Sequence, residues 1–107
     1  MDTIKFSTNW NNKLNNKAFT TIRLANCNKY KLNRQYAIIL KDKELGTATI
    51  KDIKTLSVNH LGLYTCYLDT GYNREETINI IKKMYPNLNF STALFNLILL
   101  VYDVQQP

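Results

Sequence analysis

The stretch that decides the fold is YAIILKDKELGTATIKDI, residues 36–53. Apolar and β-branched residues over Tyr36–Lys41 predict a β-strand, and a similar run over Glu44–Ile53 predicts its partner. The Asp42-Lys43 pair between the two runs predicts a tight turn, so the runs form a β-hairpin. Gly46 lies inside the second strand and predicts a β-bulge or a close approach of the backbone.

Further elements are predicted on both sides of this hairpin. They are a short strand at Ile4 and Phe6, a helix capped by Thr8 or Asn9 and running to Asn15, a strand over Thr20–Leu24, a loop over residues 25–35, a helix over Leu56–Leu68, a second helix capped by Asn73 and stopped by Pro86, and a long strand over Ala93–Asp103. This order has few strands and no regular β-α-β alternation. It predicts an α+β fold, a small mixed β-barrel of about five strands with two or three flanking helices.

The length and composition are those of an ordinary globular protein. The chain has 107 residues, of which 45% are hydrophobic and 21% are charged. We therefore expect residues 1–107 to form a single domain, and we expect a monomer. No apolar run is long enough to cross a bilayer, and the first residues hold no apolar signal region. A cytoplasmic protein without a membrane partner is the resulting expectation.

Cysteine and histidine usage does not predict a metal site. Cys27 and Cys66 lie far apart in the sequence, and His60 is the single histidine. Because a zinc site needs about four such ligands at close spacing, two free thiols are the simpler interpretation. We expect neither a metal nor another cofactor.

The charge is distributed unevenly along the chain. The formal net charge is +6, and eight Lys or Arg residues lie between Thr3 and Lys41 without any Asp or Glu. A one-sided basic surface is typical of proteins that bind polyanions such as RNA. Two other interpretations remain open: a basic face that only keeps the protein soluble, and a surface that docks an acidic protein.

The strand over Thr20–Leu24 carries the candidate site residues. Side chains two positions apart share a face, so Thr21 and Arg23 point the same way. A hydroxyl and a guanidinium in this arrangement can hold a phosphate or a carbonyl oxygen, or can be solvated surface. An ion pair between Arg23 and Asp69 is an alternative use of the arginine.

Three motifs together resemble the ASCH domain, a branch of the PUA-like superfamily. The first is Thr21-Ile22-Arg23 at the end of a strand–helix–strand entry. The second is the hairpin pattern with Tyr36, Ile38, Leu40, Gly46, Ala48 and Ile50. The third is the turn Leu68-Asp69-Thr70-Gly71-Tyr72, which opens a helix ending at Tyr85-Pro86. The resemblance covers nearly the whole chain and implies a small barrel that binds RNA in a cleft beside it.

The resemblance also implies two sets of site residues. Some small ASCH proteins deacetylate N4-acetylcytidine with a lysine, a threonine and an acid. By position, this hydrolase alternative would use Thr21, Lys17 and Asp69; the motif's lysine falls on Ala18, next to Lys17, and its acid falls near Thr70. The binding interpretation uses Arg23, Thr21, Lys17, Lys13, Tyr72 and Gly71 around the cleft.

Overall fold

The computed structural model describes residues 1–103, which form five β-strands, two α-helices and two 3₁₀ segments. In chain order these are β1 (Thr3–Phe6), a 3₁₀ segment (Trp10–Asn15), β2 (Ala18–Leu24), β3 (Gln35–Leu40), β4 (Lys43–Leu56), a second 3₁₀ segment (Val58–His60), α1 (Leu63–Thr70), α2 (Arg74–Met84) and β5 (Phe95–Tyr102). The strands form one mixed sheet that helices flank. The predicted α+β class is therefore confirmed.

The predicted hairpin is formed by β3 and β4, and it contains the predicted bulge. Ile38 pairs with Gly46, whereas the next residue of β3, Ile39, pairs with Glu44. Leu45 is therefore the extra residue of the bulge. Gly46 has a φ of +147°, a conformation that side chains rarely adopt, which explains the glycine at this position.

The five strands lie in the order β1-β3-β4-β5-β2. β1 runs parallel to β3, and the other neighbouring pairs are antiparallel. β4 is 14 residues long, so its first part pairs with β3 while the stretch from Ala48 onward pairs with β5. β1 and β2 are consequently the two edges of the sheet.

The sheet curls until its two edges approach each other. Phe6 of β1 and Phe19 of β2 pack with their ring centroids 6.0 Å apart, although three strands separate them in the sheet order. Both belong to a core that includes the fully buried Tyr36, Ile38 and Ile50. Burying each large apolar side chain contributes roughly 1.5–3 kcal/mol, so this core stabilises the curled sheet.

A second core lies between the sheet and the two helices. It joins Ile22 of β2 and Phe95 of β5 to Cys66 of α1 and Ile81 of α2. Because Phe19 belongs to the first core and Ile22 to the second, β2 contacts both. This edge strand is thereby held between the curled sheet and the helices.

The helix predicted over Leu56–Leu68 is wrong in its first half. β4 continues to Leu56, which pairs with Phe95 of β5. The second 3₁₀ segment follows, and α1 begins only after its N-cap, Gly62. The partner strand provides backbone hydrogen bonds and buried surface that local periodicity does not register, so tertiary context overrides the helical spacing.

The helix predicted up to Asn15 is a 3₁₀ segment with two left-handed residues. Asn11 and Asn12 have φ values of 56° and 54°. Asparagine tolerates this region better than most residues, and its side chain competes for backbone groups. Asn9 shows this directly, because its Oδ1 accepts a hydrogen bond from the backbone N of Leu14 at 2.9 Å.

Candidate functional site

A cavity of about 420 Å³ opens where the two edges of the sheet meet the helices. Its volume falls in the range of small-molecule sites. The lining comes from β1 and the turn after it (Lys5, Phe6, Ser7, Thr8), the first 3₁₀ segment (Trp10, Lys13), β2 (Thr21, Ile22, Arg23), the β3–β4 turn (Lys41, Asp42), the end of α1 (Asp69, Thr70) and α2 (Thr77, Ile80, Ile81, Met84).

Arg23 and Thr21 share a face of β2 and line this cavity together. The Nε of Arg23 donates a hydrogen bond to the Oγ1 of Thr21 at 2.9 Å, and the guanidinium lies 4.5 Å from the ring centroid of Phe6. Within residues 1–103 no carboxylate oxygen lies within 4.0 Å of the guanidinium, so the ion pair considered between Arg23 and Asp69 is not formed. Burial lowers the pKa of Arg23, yet a guanidinium stays protonated in proteins.

Lys13 and Asp69 form a buried ion pair in the wall of the cavity. The Nζ of Lys13 lies 3.1 Å from the Oδ1 of Asp69, and both side chains are about 5% exposed or less. The Oγ1 of Thr20 donates a second hydrogen bond to the same oxygen at 2.7 Å. Burial lowers the pKa of Lys13, while the nearby carboxylate acts in the opposite direction.

The left-handed asparagines place Lys13 in the cavity. The Nδ2 of Asn11 donates to the backbone carbonyls of Tyr67 and Leu68 at 3.3 and 3.2 Å, which caps the end of α1. Lys13 follows two residues later, and its carboxylate partner Asp69 lies in that same last turn. The 3₁₀ segment and the end of α1 therefore act as one unit that holds the ion pair.

Lys17 is not brought to the cavity. Its side chain is exposed, and it precedes β2, whose pairing with β5 is continuous from Ala18 to Leu24. Lys17 could reach Thr21 only if the start of β2 bulged by one residue, and this ladder contains no such bulge. The structure instead places Lys13 beside Asp69, and the threonine that binds Asp69 is Thr20 rather than Thr21.

Gly71 and Tyr72 lie beside the cavity without lining it. Gly71 ends α1 in the left-handed region, with a φ of +83°, as expected for a glycine C-cap. Tyr72 is 42% exposed and packs edge-to-face on Trp10, with ring centroids 6.0 Å apart. Tyr72 therefore contacts the cavity only indirectly, through Trp10, which is part of the cavity wall.

Two exposed lysines at the cavity mouth were missed by the sequence analysis. Lys5 comes from β1, and Lys41 comes from the β3–β4 turn. The parallel pairing of β1 with β3 brings them to one place, as the backbone N of Lys41 donates to the carbonyl of Phe6 at 2.8 Å. Lys5 alternates with the buried Ile4 and Phe6 along β1, but no local signal indicated which strand would lie next to it.

Residues 1–103 contain neither a candidate metal-ligand cluster nor a candidate membrane-spanning helix. No three His, Cys, Asp or Glu side chains in this part come close enough together to hold a metal ion. His60 bonds to its neighbour Ser57, with 2.8 Å between Nδ1 and Oγ. Neither described helix combines the length and the apolar character needed to cross a bilayer.

Comparison with known proteins gave no match: no protein-family model, curated protein or solved structure is significantly similar to this chain.

Proposed function

We propose that this protein binds RNA or a nucleotide fragment in the cavity between the sheet edges and α2. The observation that carries the proposal is that Arg23 is held in a fixed position but is not used in an ion pair with any described residue. Its guanidinium is held in place by Thr21 and by the face of Phe6, but it has no carboxylate partner among the described residues. A fixed guanidinium offers paired N–H donors that match phosphate oxygens.

The charge around the cavity supports an anionic ligand. Four basic and two acidic side chains line it. One of the acids, Asp69, is already paired with Lys13, which leaves Arg23 and the exposed Lys5 and Lys41 against the single carboxylate of Asp42. Each lysine or arginine that meets a phosphate releases condensed counterions, so affinity for a polyanion falls as salt rises.

The remaining lining suits the flat, apolar faces of a nucleoside. Trp10 and Ile80 are half-buried, and Met84 is exposed, so part of each side chain faces the open space. Nucleotide sites combine such apolar contact with a few fixed polar groups. The resemblance to RNA-binding ASCH domains points in the same direction.

Fluorescence anisotropy tests this proposal. A labelled short structured RNA, its DNA counterpart and an acidic polypeptide are each titrated at low and moderate salt. The proposal expects tighter binding to RNA than to DNA, weakened by salt. Arg23→Ala should reduce RNA affinity about ten-fold or more, because hydrogen bonds to charged groups contribute about 1.5–3 kcal/mol each.

Lys54→Ala is the matched control, since Lys54 is an exposed cation of β4 that lines no part of the cavity. It should change affinity only through overall charge. Equal losses in the two variants, or unchanged affinity in Arg23→Ala, would remove the cavity from the binding site. Tighter binding of the acidic polypeptide than of either nucleic acid would also contradict the proposal.

A second candidate, hydrolysis of a modified nucleoside such as N4-acetylcytidine, is favoured by one observation. Lys13 is buried beside Asp69, and burial lowers its pKa, as a lysine that accepts a proton requires. Thr21 lines the same cavity and supplies a hydroxyl. Release of acetate from N4-acetylcytidine, lost in Thr21→Ala and in Lys13→Met, would support this candidate. Absence of acetate release in the unsubstituted protein would reject it.

A further inference from the structure

A second, shallower space adjoins the main cavity. It has a volume of about 250 Å³ and is lined by Trp10, Tyr72 and four residues of α2, namely Glu76, Asn79, Ile80 and Lys83. We call this space the aromatic groove. Trp10 and Ile80 line both the main cavity and the aromatic groove, so the two spaces share a wall.

The spacing of residues on α2 explains why the two spaces are neighbours. Glu76, Ile80 and Lys83 follow one stripe of the helix and face the aromatic groove. Thr77, Ile81 and Met84 follow the adjoining stripe, one position further on, and face the main cavity. A ligand that fills the cavity and continues across α2, past the shared Ile80 and Trp10, therefore enters the groove.

The groove presents an exposed aromatic surface that the fold itself does not cover. Tyr72 is 42% exposed, and its edge-to-face contact with Trp10 fixes the two rings relative to each other. Exposed aromatic rings are platforms on which successive bases of single strands stack. Lys83 supplies a cation beside them, while the carboxylate of Glu76 is engaged by the backbone N of Asn73 at the start of α2.

We infer that the aromatic groove is a subsite for a second nucleotide. The ligand class is then a single strand of at least two nucleotides, with one nucleotide in the main cavity and its neighbour's base stacked on Tyr72. This inference rests on the proposed function. It adds that a free mononucleotide fills only part of the site.

The experiment compares mononucleotides with their extended forms by isothermal titration calorimetry. The probes are the four ribonucleoside 5′-monophosphates, the same nucleotides extended by adenosine on the 3′ or the 5′ side, and dinucleotides whose added nucleotide lacks its base. The preferred mononucleotide should gain roughly 5- to 150-fold in affinity on extension, the range that stacking of one base contributes. The abasic extension should not give this gain.

Substitutions of Tyr72 test whether the gain in affinity on extension arises in the aromatic groove. Tyr72→Ala should abolish the gain, so that this variant binds the dinucleotide no more tightly than the mononucleotide, whereas Tyr72→Phe should retain the gain because the ring remains. Tyr64→Ala is the matched control: Tyr64 is an 83% exposed tyrosine of α1 that lines neither space, and its loss should have no effect.

The outcomes separate this inference from the function on which it rests. A mononucleotide that binds in the cavity without any gain on extension overturns the second subsite alone. A gain that survives Tyr72→Ala, or that the abasic extension reproduces, also overturns it. If no mononucleotide, dinucleotide or longer RNA binds, the proposed function fails and the subsite with it. If only longer RNA binds, the two-nucleotide ligand and with it the second subsite are rejected, while the Arg23→Ala titration still decides the proposed function.

Discussion

At the scale of single residues, the buried ion pair of Lys13 and Asp69 leads to a prediction about stability. Removing one charge of a buried pair leaves the other charge buried without a partner, which destabilises the folded state. In Asp69→Asn the Lys13 ammonium loses its carboxylate while it stays about 4% exposed. We expect the free energy of unfolding to fall by about 3–5 kcal/mol. Urea denaturation at pH 7 measures this loss.

The double variant Asp69→Asn/Lys13→Met should be more stable than Asp69→Asn, since it no longer buries an unpaired charge. The exposed pair of Arg34 and Asp2, with 3.2 Å between Nη1 and Oδ2, provides the control. Asp2→Asn should cost less than about 1 kcal/mol, because water and salt screen an exposed pair. A double variant no more stable than Asp69→Asn would contradict the buried-charge explanation.

Lys41 carries backbone strain at the mouth of the cavity. Its φ of 56° lies in the left-handed region, which costs a non-glycine residue about 1–2 kcal/mol. The two-residue turn between the paired Leu40 and Lys43 imposes this conformation, since tight hairpin turns need a positive φ. We expect Lys41→Gly to raise the free energy of unfolding by up to about 1 kcal/mol, since relief of strain exceeds the entropy that glycine adds to the unfolded chain.

The same variant should weaken RNA binding several-fold and reduce the salt dependence, because a cation at the cavity mouth is lost. Lys43→Gly is the control: Lys43 begins β4 with an ordinary φ, and glycine within a strand costs roughly 0.5–1 kcal/mol. Urea denaturation and anisotropy titrations measure both effects. Destabilisation of Lys41→Gly equal to that of Lys43→Gly would show that the turn is not strained.

At the scale of elements, the end of α1 depends on Gly71. Its φ is +83°, and a Cβ built there would lie 3.3 Å from the Oδ1 of Asn11. Gly71→Ala should lower the free energy of unfolding by about 1–2 kcal/mol through backbone strain. It should also weaken ligand binding, because Asn11 belongs to the unit that positions Lys13.

Gly62 at the other end of α1 is the matched control for this prediction. Its φ is ordinary, and nothing lies within 4 Å of a Cβ built on it. Gly62→Ala should change stability by no more than about 0.5 kcal/mol, as is usual for a surface substitution. Equal effects of the two alanine variants in urea denaturation would contradict the role given to Gly71.

Elements whose signals are local were predictable from the sequence. The capping box of α2 is one case, in which Asn73 accepts from the backbone N of Glu76 while the Glu76 side chain accepts from that of Asn73. The shared face of Thr21 and Arg23 is another. By contrast, β4 extends to Leu56 because β5 lies beside it, and nothing within residues 53–56 encodes that partner.

At the scale of the whole molecule, the cavity is a product of long-range pairing. Lys13 reaches Asp69 across 56 positions of the chain, and the β1–β3 ladder brings Lys41 to Phe6. Composition indicated an excess of positive charge, but the curl of the sheet decides which lysine and arginine side chains lie together at the cavity. The sequence could therefore indicate Lys13 as a candidate site residue, but it could not show that Lys13 rather than Lys17 lies beside Asp69.

Asp103 ties three strands together at one end of the sheet. Its carboxylate accepts hydrogen bonds from Gln35 of β3 and from Thr47 and Thr49 of β4, at 2.7 to 2.8 Å. The bond from Gln35 contributes most to lowering the pKa of Asp103, followed by that from Thr49. A carboxylate whose pKa is lower in the folded state stabilises the fold above its unfolded pKa, and this stabilisation disappears as pH falls through the folded value.

We therefore expect the thermal stability of the protein to fall as pH decreases below the ordinary aspartate pKa of about 3.9. Asp103→Asn should be less stable than the unsubstituted protein at pH 7, and the difference should shrink as pH falls, since protonation removes the same charge. Glu44→Gln, at an exposed carboxylate of β4 that accepts no side-chain hydrogen bond from residues 1–103, should show no such convergence. Melting curves followed by circular dichroism between pH 7 and about pH 2 measure the difference. A constant difference between the unsubstituted protein and Asp103→Asn would mean that the carboxylate's charge does not hold these strands together.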